Sequence, residues 1–333
     1  MTSSVTGGCP LALVILLLVS MGPTATEVVR SVRDCAQFFL GGTPPEIPGV
    51  LKGGDIVIEA RYKPICQTYR DCRRFMTLYD TVNKIPVFSA YRYKGQTGGT
   101  LTRTPTWMGE PQLENINSNE INMIQFRKAV PTHQASNEDY KIEKKNGKYD
   151  RGHLFPNAHA SDEIHQVSTY TLTNVVPQEK TFNSQSWGKM EEQVKALMDE
   201  LCCNEKNELE AFVVTGAISV DTLTNQPAAS NVAGAGASQS SAKTLNNRVD
   251  IPQTLWTAFC CFNRFKKIWF AYAHFGDNAG NNNNPELLPK TLTELKDKHG
   301  IEPFPNADCL GAKHLVGEIP KGNCRVPKLD TQA

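Results

Sequence analysis

The chain has 333 residues, of which 40% are hydrophobic and 21% charged, and this composition is typical of a protein with a sizeable buried core. Its 24 glycines and 20 prolines follow no repeat period, which excludes collagen, solenoid and wholly disordered proteins. The 35 Lys and Arg residues nearly balance the 34 Asp and Glu residues, so no global field draws the chain to nucleic acid or to an anionic membrane. A polyanionic partner would have to be held by a local patch.

The N-terminal segment has the features of a secretory signal. Residues 1–26 contain no charged side chain, and residues 11–19 form an apolar run. That run is shorter than the roughly 20 residues that span a bilayer, and the small residues around Ala25 suit cleavage by a signal peptidase. We therefore predict a signal peptide over residues 1–26, no transmembrane segment after cleavage, and a secreted single domain over residues 27–333. An uncleaved anchor is the alternative.

Cysteine usage indicates disulfides. Nine of the ten cysteines follow the predicted signal peptide, so in an oxidising compartment we expect three or four disulfides and one unpaired thiol. A zinc site is the alternative, but the sequence has no Cys-x-x-Cys pair. The vicinal pairs Cys202–Cys203 and Cys260–Cys261 would also point to opposite faces of any strand. The sequence leaves the pairing open.

The first half of the chain predicts strands and loops. Residues 27–80 are expected to form loops and short strands, such as one over Ile56–Ala60. The segment Lys84–Tyr93 predicts a strand buried at least partly on both faces, with Pro86 near its start. The Gly-, Thr- and Asn-rich residues 95–119 predict a loop.

The second half adds helices. Bulky apolar residues recur at helical spacing from about Ser184 to Leu201, and Trp187 and Met190 belong to the core face of this helix. A further helix is expected near Leu292, with Gly300 as its stop.

The remaining strands decide the fold class. They are predicted over Tyr170–Val176, Phe212–Gly216, Thr254–Phe262 and Lys267–His274. Because the intervening segments are too irregular for repeated βαβ units, we expect an α+β fold with a mixed or antiparallel sheet. Residues 225–247 and 277–284 are rich in small and polar residues and predict surface loops.

A local basic cluster precedes the predicted helix. Residues 141–153 contain five Lys or Arg residues and two acidic residues, which leaves a local charge of +3. A phosphate-binding site needs such a patch. A solvated charged hairpin is the alternative interpretation of the same residues.

The motifs around this cluster resemble those of the DNA/RNA non-specific endonuclease family. They follow one another in that family's order and spacing: Asp150–His153 with Pro156, Thr173–Gln178, Asn183, Trp187–Glu191 and Val213–Gly216. Upstream, Thr102–Pro111 is similar to the family's arginine segment. The resemblance implies a ββα-metal (His-Me finger) nuclease fold, with a mixed or antiparallel sheet flanked by helices. It also implies DNA and RNA as partners through the phosphate backbone, and Mg²⁺, with Mn²⁺ as the alternative, as cofactor.

The resemblance assigns roles that the chemistry of phosphodiester hydrolysis requires. His153 would be the general base that takes a proton from water, since a histidine is usually neutral near pH 7. Asn183 would hold the metal ion, because Mg²⁺ prefers hard oxygen ligands and keeps several waters. Arg103 and Arg151 would bind the phosphate, whose oxygens match a guanidinium fork.

Two further residues receive supporting roles. Glu191 lies eight residues beyond Asn183, about 12 Å along a helix, so it is expected to hold a water of the metal rather than the metal itself. Asn174 would orient the loop or the substrate, and a turn-capping asparagine is its alternative. We interpret His159 and His165 as bystanders, although the family more often has an acidic residue at the position of His159.

The sequence thus predicts a secreted, metal-dependent endonuclease with little base preference. The competing hypothesis is a secreted, catalytically inactive nucleic-acid-binding or adhesion module on the same fold, since a fold does not guarantee its chemistry. A disulfide-stapled structural protein would explain the cysteines but not the residues from Asp150 to Glu191. The oligomeric state stays open.

Overall fold

The computed structural model describes residues 27–99, 101–126, 130–219, 243–280, 286–311 and 324. The predicted signal peptide and most of the predicted loop over residues 225–247 lie outside the described residues. Within the described ranges, a sheet of seven strands organises the molecule, and its order is β13-β12-β11-β8-β5-β4-β3. These strands are β3 (Tyr62–Tyr69), β4 (Cys72–Asp80), β5 (Ile85–Tyr93), β8 (Ala211–Ile218), β11 (Thr254–Asn263), β12 (Ile268–Asp277) and β13 (Leu310–Gly311).

The sheet is mixed, as the sequence predicts. Neighbouring strands are antiparallel, except that β12 and β13 run parallel. Strands β5 and β8 lie at its centre, with Phe88 opposite Gly216 and Tyr93 opposite Ala211. A Cβ atom on Gly216 would lie 2.6 Å from the Trp256 ring, so glycine lets the neighbouring side chain pack onto the sheet. The predicted α+β class and the strands over residues 84–93, 212–216, 254–262 and 267–274 are confirmed.

Smaller elements surround this sheet. Three two-stranded pairs complete the β-structure: β1 (Leu51–Lys52) with β2 (Asp55–Ile56), β6 (Tyr149–His153) with β7 (Val175–Glu179), and β9 (Thr244–Leu245) with β10 (Val249–Asp250). The α-helices of the described residues are α1 (Pro111–Glu114), α2 (Asn137–Asn146), α3 (Glu163–Ser168), α4 (Gly188–Leu201) and α5 (Leu292–His299). Short 3₁₀ helices span Val32–Phe38, Leu40–Gly42, Asn157–His159 and Leu172–Asn174.

Both faces of the sheet are covered by apolar layers. On one face, helix α4 and the β6–β7 pair bury a core that includes Trp187 and Phe155. On the other, the N-terminal 3₁₀ helices and α5 bury a core that includes Phe88 and Leu295. The residues of the candidate site belong to the first face.

Helix α4 confirms the amphipathic pattern of the sequence. Its buried residues, Met190, Val194, Met198 and Leu201, form one stripe. Helical residues 180–181 and a π-helical turn over Phe182–Trp187 precede it, so the helical segment begins four residues before the predicted start. Helix α5 is confirmed as well, and Gly300 ends it in the left-handed region with a φ of 70°.

Three predictions about strands are wrong. The strand predicted over Ile56–Ala60 is absent, since the two-residue strand β2 ends at Ile56. Residues 27–80 contain the long strands β3 and β4 instead of only short ones, because both strands are largely buried on both faces and show no polar alternation. Their connecting turn uses Arg70 and Asp71 at φ 52° and 57°, without the glycine that marks such turns. The strand predicted over Tyr170–Val176 begins only at Val175, since Leu172–Asn174 forms a 3₁₀ turn.

Disulfides join eight of the described cysteines, as expected. The pairs are Cys35–Cys66, Cys202–Cys261, Cys203–Cys324 and Cys260–Cys309. Among the described residues, Cys72 remains a free thiol. The cysteines that a zinc site would need are therefore consumed in disulfides. None of the described helices has the length and apolarity that crossing a bilayer requires.

Candidate active site

An antiparallel strand pair followed by a helix carries the predicted site residues. Strand β6 pairs with β7 so that His153 lies opposite Val175 and Arg151 opposite Pro177. The chain then enters the π-helical turn and helix α4. Residues 154–174 separate the two strands in sequence, so the pair is closed by an excursion of the chain rather than by a tight turn.

The side chain of Asn174 holds the excursion over residues 154–174 in place through hydrogen bonds. Its side-chain oxygen accepts hydrogen bonds from the Phe155 amide at 3.0 Å and the Ser89 hydroxyl at 2.9 Å. Its side-chain nitrogen donates to the carbonyls of Phe155 at 3.1 Å and Thr169 at 3.0 Å. Because Asn174 is fully buried and each polar atom already has partners, it acts on the position of the loop rather than on a bound molecule.

Gly152 allows the two strands to close over a buried side chain. A Cβ atom at this position would lie 2.0 Å from Oε1 of Gln178 and 2.6 Å from its Cβ. Any side chain would therefore push Gln178 away and separate β6 from β7. The glycine of the sequence motif is thus required by the packing of its neighbour.

His153 lies in an aromatic environment at the end of β6. Its ring centroid is 5.3 Å from that of Trp107 and 5.1 Å from that of Tyr170. Its Nε2 atom is buried and has no hydrogen-bond partner among the described residues. Burial, together with the nearby cation of Arg151, lowers the pKa of His153 to about 4. The imidazole is therefore neutral at pH 7 and can accept a proton.

Arg151 is held between two aromatic rings. Its guanidinium carbon is 5.0 Å from the centroid of Trp107 and 4.9 Å from that of Tyr140, a pair of rings that we call the aromatic clamp. One terminal nitrogen of Arg151 donates to Oδ1 of Asn137 at 3.2 Å. Its Nε atom is buried without a partner in the described part of the chain. The clamp fixes the side chain and leaves donors for an anion.

Asn183 lies in the π-helical turn. Its carbonyl accepts the amide hydrogen of Gly188, the i to i+5 bond that defines this turn. The Asn183 side chain is half-buried, and no hydrogen bond among the described residues uses it. A free amide oxygen is a hard ligand that suits Mg²⁺, so this residue fits the ion that the motifs imply. In the described ranges no three His, Cys, Asp or Glu side chains converge as a metal cluster.

Sequence comparison gives these motifs a family. A family model described as DNA/RNA non-specific endonuclease matches residues 53–308. The chain belongs to this family. It is 29% identical over 250 residues to human endonuclease domain-containing 1 protein, which covers 72% of this chain and 41% of that protein. The mouse protein of the same name is 30% identical over 239 residues, which covers 68% of this chain and 38% of the relative. The chain thus spans about two fifths of the length of these relatives.

A solved structure of the same fold supports the architecture. The chain resembles a chain in the crystal structure of the EndoG/EndoGI complex, with a TM-score of 0.51 and 15% sequence identity. The likeness covers 74% of this chain and 89% of that one. The family member described here therefore has the ββα-metal nuclease fold, with a mixed sheet flanked by helices.

Glu191 lies in a second polar group beneath helix α4. Its Oε1 atom accepts from the indole nitrogen of Trp187 at 2.9 Å. His159 joins the same group, because its Nδ1 atom lies 2.8 Å from the Tyr91 hydroxyl and its Nε2 atom 3.0 Å from the Glu191 carbonyl. The carbonyl can only accept, so His159 donates a hydrogen bond through Nε2 and accepts one from the Tyr91 hydroxyl at Nδ1. His159 is therefore a buried link between helix and sheet.

The carboxyl group of Glu191 is perturbed by its surroundings. Burial raises the pKa of Glu191 to about 8, which favours the neutral acid at pH 7. A cation nearby would favour the carboxylate instead. Across the residues that the structure describes, no hydrogen bond or ion pair joins Glu191 to His153 or to Asn183.

The other predicted residues are more scattered. Arg103 is exposed in the segment before Trp107, and the described part of the chain offers its side chain no hydrogen bond. The Nδ1 atom of His165 forms a hydrogen bond with the carboxylate of Asp162, three residues earlier. In the basic cluster, Lys141 and Lys148 are exposed, and the side chains of residues 142–146 lie outside the described residues.

The aromatic clamp was not predicted from the sequence. Trp107 and Tyr140 lie far from Arg151 in the chain, and Tyr170 lies within the predicted strand that proved wrong. Isolated aromatic residues are common, and no spacing distinguishes these three. Their shared contact with Arg151 or His153 becomes visible only in three dimensions.

Proposed function

We propose that this chain is a metal-dependent, largely sequence-non-specific endonuclease that hydrolyses phosphodiester bonds of DNA and RNA. The observation that supports this most is His153, a neutral imidazole whose Nε2 atom has no partner among the described residues, in the motif of a nuclease family. The predicted signal peptide and the disulfides support a secreted protein. The match covers only about two fifths of the length of these relatives, so the proposal concerns the activity of this chain.

The reaction follows from the protonation state of His153. Its imidazole takes a proton from a water molecule, and the resulting hydroxide attacks the phosphorus atom. The bond between phosphorus and the leaving oxygen breaks, and that oxygen takes a proton from solvent. Arg151, held by the aromatic clamp, and Arg103 bind the phosphate oxygens and offset the charge that builds on them.

Asn183 would hold the metal ion through its amide oxygen. When bound, Mg²⁺ or Mn²⁺ would neutralise charge on the phosphate and on the leaving oxygen. Glu191 would orient a water near that ion, and Asn174 would keep the excursion after β6 in place. These residues address phosphate, so we expect weak base specificity.

A degradation assay tests the proposal. Plasmid DNA and single-stranded RNA are incubated with the purified chain in Mg²⁺, in Mn²⁺ and with a chelator. We expect cleavage that needs the metal, and a loss of about 100-fold or more in His153→Ala and Asn183→Ala, the range that a lost general base causes. The controls are His299→Ala, which lies under the opposite face of the sheet, and Asn117→Ala, which lies in an exposed loop.

The outcomes separate the enzyme from its rival. Cleavage that persists in His153→Ala at the wild-type rate would overturn the proposed base. A folded wild-type chain that binds DNA but never cuts it, with either metal, would overturn the enzyme and favour the inactive binding module. Thermal unfolding of each variant shows whether a loss of activity reflects a loss of the fold.

A further inference from the structure

A small cavity adjoins the aromatic clamp. Its volume is about 140 Å³, smaller than the roughly 300–1,000 Å³ of pockets for drug-sized ligands. The described walls combine apolar side chains with the polar residues Ser136, Asn137 and Glu138. The lining residues on which the following argument depends are Trp107, Phe126, Leu172, Asn137 and Glu138.

Two side chains connect this cavity to the candidate active site. Trp107 lines the cavity and also contacts both the guanidinium of Arg151 and the ring of His153. Asn137 lines the cavity and accepts a hydrogen bond from Arg151 through Oδ1. A nucleotide whose phosphate is held by Arg151 would therefore place a neighbouring base beside the cavity mouth.

The chemistry of the lining fits a flat ring with polar edges. Trp107 and Phe126 present aromatic surface, and Leu172 adds aliphatic surface. The side-chain nitrogen of Asn137 makes no hydrogen bond with the described residues and can donate, while the Glu138 carboxylate can accept. Among the described lining residues, Glu138 contributes a carboxylate, and its Oε1 atom already pairs with Lys141.

We propose that this cavity binds one unpaired nucleobase of the substrate strand, next to the phosphate that is cleaved. This inference rests on the proposed function and adds a subsite to it. A base inside a duplex cannot enter such a cavity without leaving its stack, which costs a few kcal/mol. The chain therefore binds single-stranded segments more tightly than paired ones of the same charge.

Binding without cleavage tests the subsite. A fluorescent 12-nucleotide single strand is compared with a fully abasic strand of the same length and charge, in chelator, by fluorescence anisotropy. Stacking of one base on aromatic side chains contributes about 1–3 kcal/mol, so we expect the abasic strand to bind roughly 5- to 150-fold more weakly. Phe126→Ala should weaken binding of the base-bearing strand and leave the abasic strand unchanged.

Phe265→Ala is the matched control. Phe265 is 45% exposed and lies in the turn between β11 and β12, away from the cavity, so this variant should bind both strands as the wild type does. Equal affinity of the wild type for the two strands, or an unchanged preference in Phe126→Ala, would overturn the subsite. If cleavage persists in either case, the subsite alone fails; if the chain neither binds nor cuts nucleic acid, the proposed function fails with it. If Phe126→Ala does not fold, the affinities of the wild type for the base-bearing and abasic strands still decide whether the subsite exists.

Discussion

Gly152 shows how a single backbone position can control a site. Replacing it with alanine places a methyl group 2.0 Å from Oε1 of Gln178, and the strands that carry His153 must move apart. We expect Gly152→Ala to lose about 1–3 kcal/mol of stability, the usual cost of overpacking, and to lower cleavage more than its unfolding curve explains. Gly99→Ala is the control, since nothing lies within 4 Å of its added Cβ atom. Equal urea midpoints for the two variants would contradict this account.

The low pKa of His153 predicts an unusual acid limit for cleavage. A general base works only when it is deprotonated, and the pKa of about 4 keeps it so well below pH 6.5. We expect the single-turnover rate to stay flat from pH 7 down to about 5 and to fall near pH 4. Arg151 contributes to this low pKa, so Arg151→Gln should move the acid limit upward in pH as well as lower the rate. A wild-type cleavage rate that already falls near pH 6.5 would contradict the buried environment of the His153 ring.

The residues proposed to take part in the reaction could be predicted from the sequence, whereas most residues that position them could not. His153 and Asn183 belong to short motifs with fixed spacing, so a resemblance could point to them. A loop brings Trp107 to Arg151 and helix α2 brings Tyr140, so no local sequence pattern predicts that contact. Asn174 was assigned as a site residue, while the structure gives it four internal hydrogen bonds.

The β6–β7 pair depends on Asn174 because its strands are not joined by a tight turn. Asn174→Ala removes hydrogen bonds to Ser89, Phe155 and Thr169 and leaves buried amide and carbonyl groups without partners. Each such group costs about 1–3 kcal/mol, so we expect a loss of roughly 3 kcal/mol or more in urea unfolding. Asn117→Ala, in an exposed loop, should change the midpoint little. A stable Asn174→Ala with a weaker KM would instead place this residue on the substrate.

Elements were predictable where one of their faces meets water. Helix α4 buries a single stripe and exposes the rest, so its period is visible in the sequence. Strands β3 and β4 are largely buried on both faces, and their sequences mix polar and apolar residues without a period of two. The π-helical turn at Asn183 leaves no trace in the pattern at all, since its distinguishing feature is one displaced backbone hydrogen bond.

Buried titratable groups give the folded state a stability maximum in mildly acidic solution. The pKa values of His153, His159 and His274 are lowered to about 4, so their contribution to stability is lost as pH falls below 6.5. Those of Glu110 and Glu191 are raised to about 7 and 8, so their contribution is present below about 4.5 and lost as pH rises through these values. From about pH 4.5 to 6.5 the stability gained from the three histidines exceeds the stability lost from the two glutamates, so the folded state becomes more stable as pH rises. Above pH 6.5 only the glutamates still contribute a change, so stability falls.

Thermal unfolding in chelator checks this balance. We expect the Tm to be highest near pH 6.5 and to decline toward both pH 5 and pH 8. Glu110→Gln mimics the neutral acid, which accepts hydrogen bonds from Thr171 at 2.6 Å and Thr173 at 2.7 Å, so this variant should show a shallower decline on the alkaline side. A Tm that keeps rising to pH 9, or an identical alkaline decline in Glu110→Gln, would contradict it.

The place of the site in the chain has an evolutionary consequence. Tyr93 at the end of β5 and Ala211 at the start of β8 face each other across neighbouring strands, and every candidate site residue lies on the stretch between them. The chain leaves the sheet and returns to the adjoining position, as an inserted module does. Mutation can therefore remodel or silence this stretch while the hydrogen-bonding order of the sheet is inherited unchanged. Descendants of one ancestor can keep the scaffold and diverge in whether, and on what, they act.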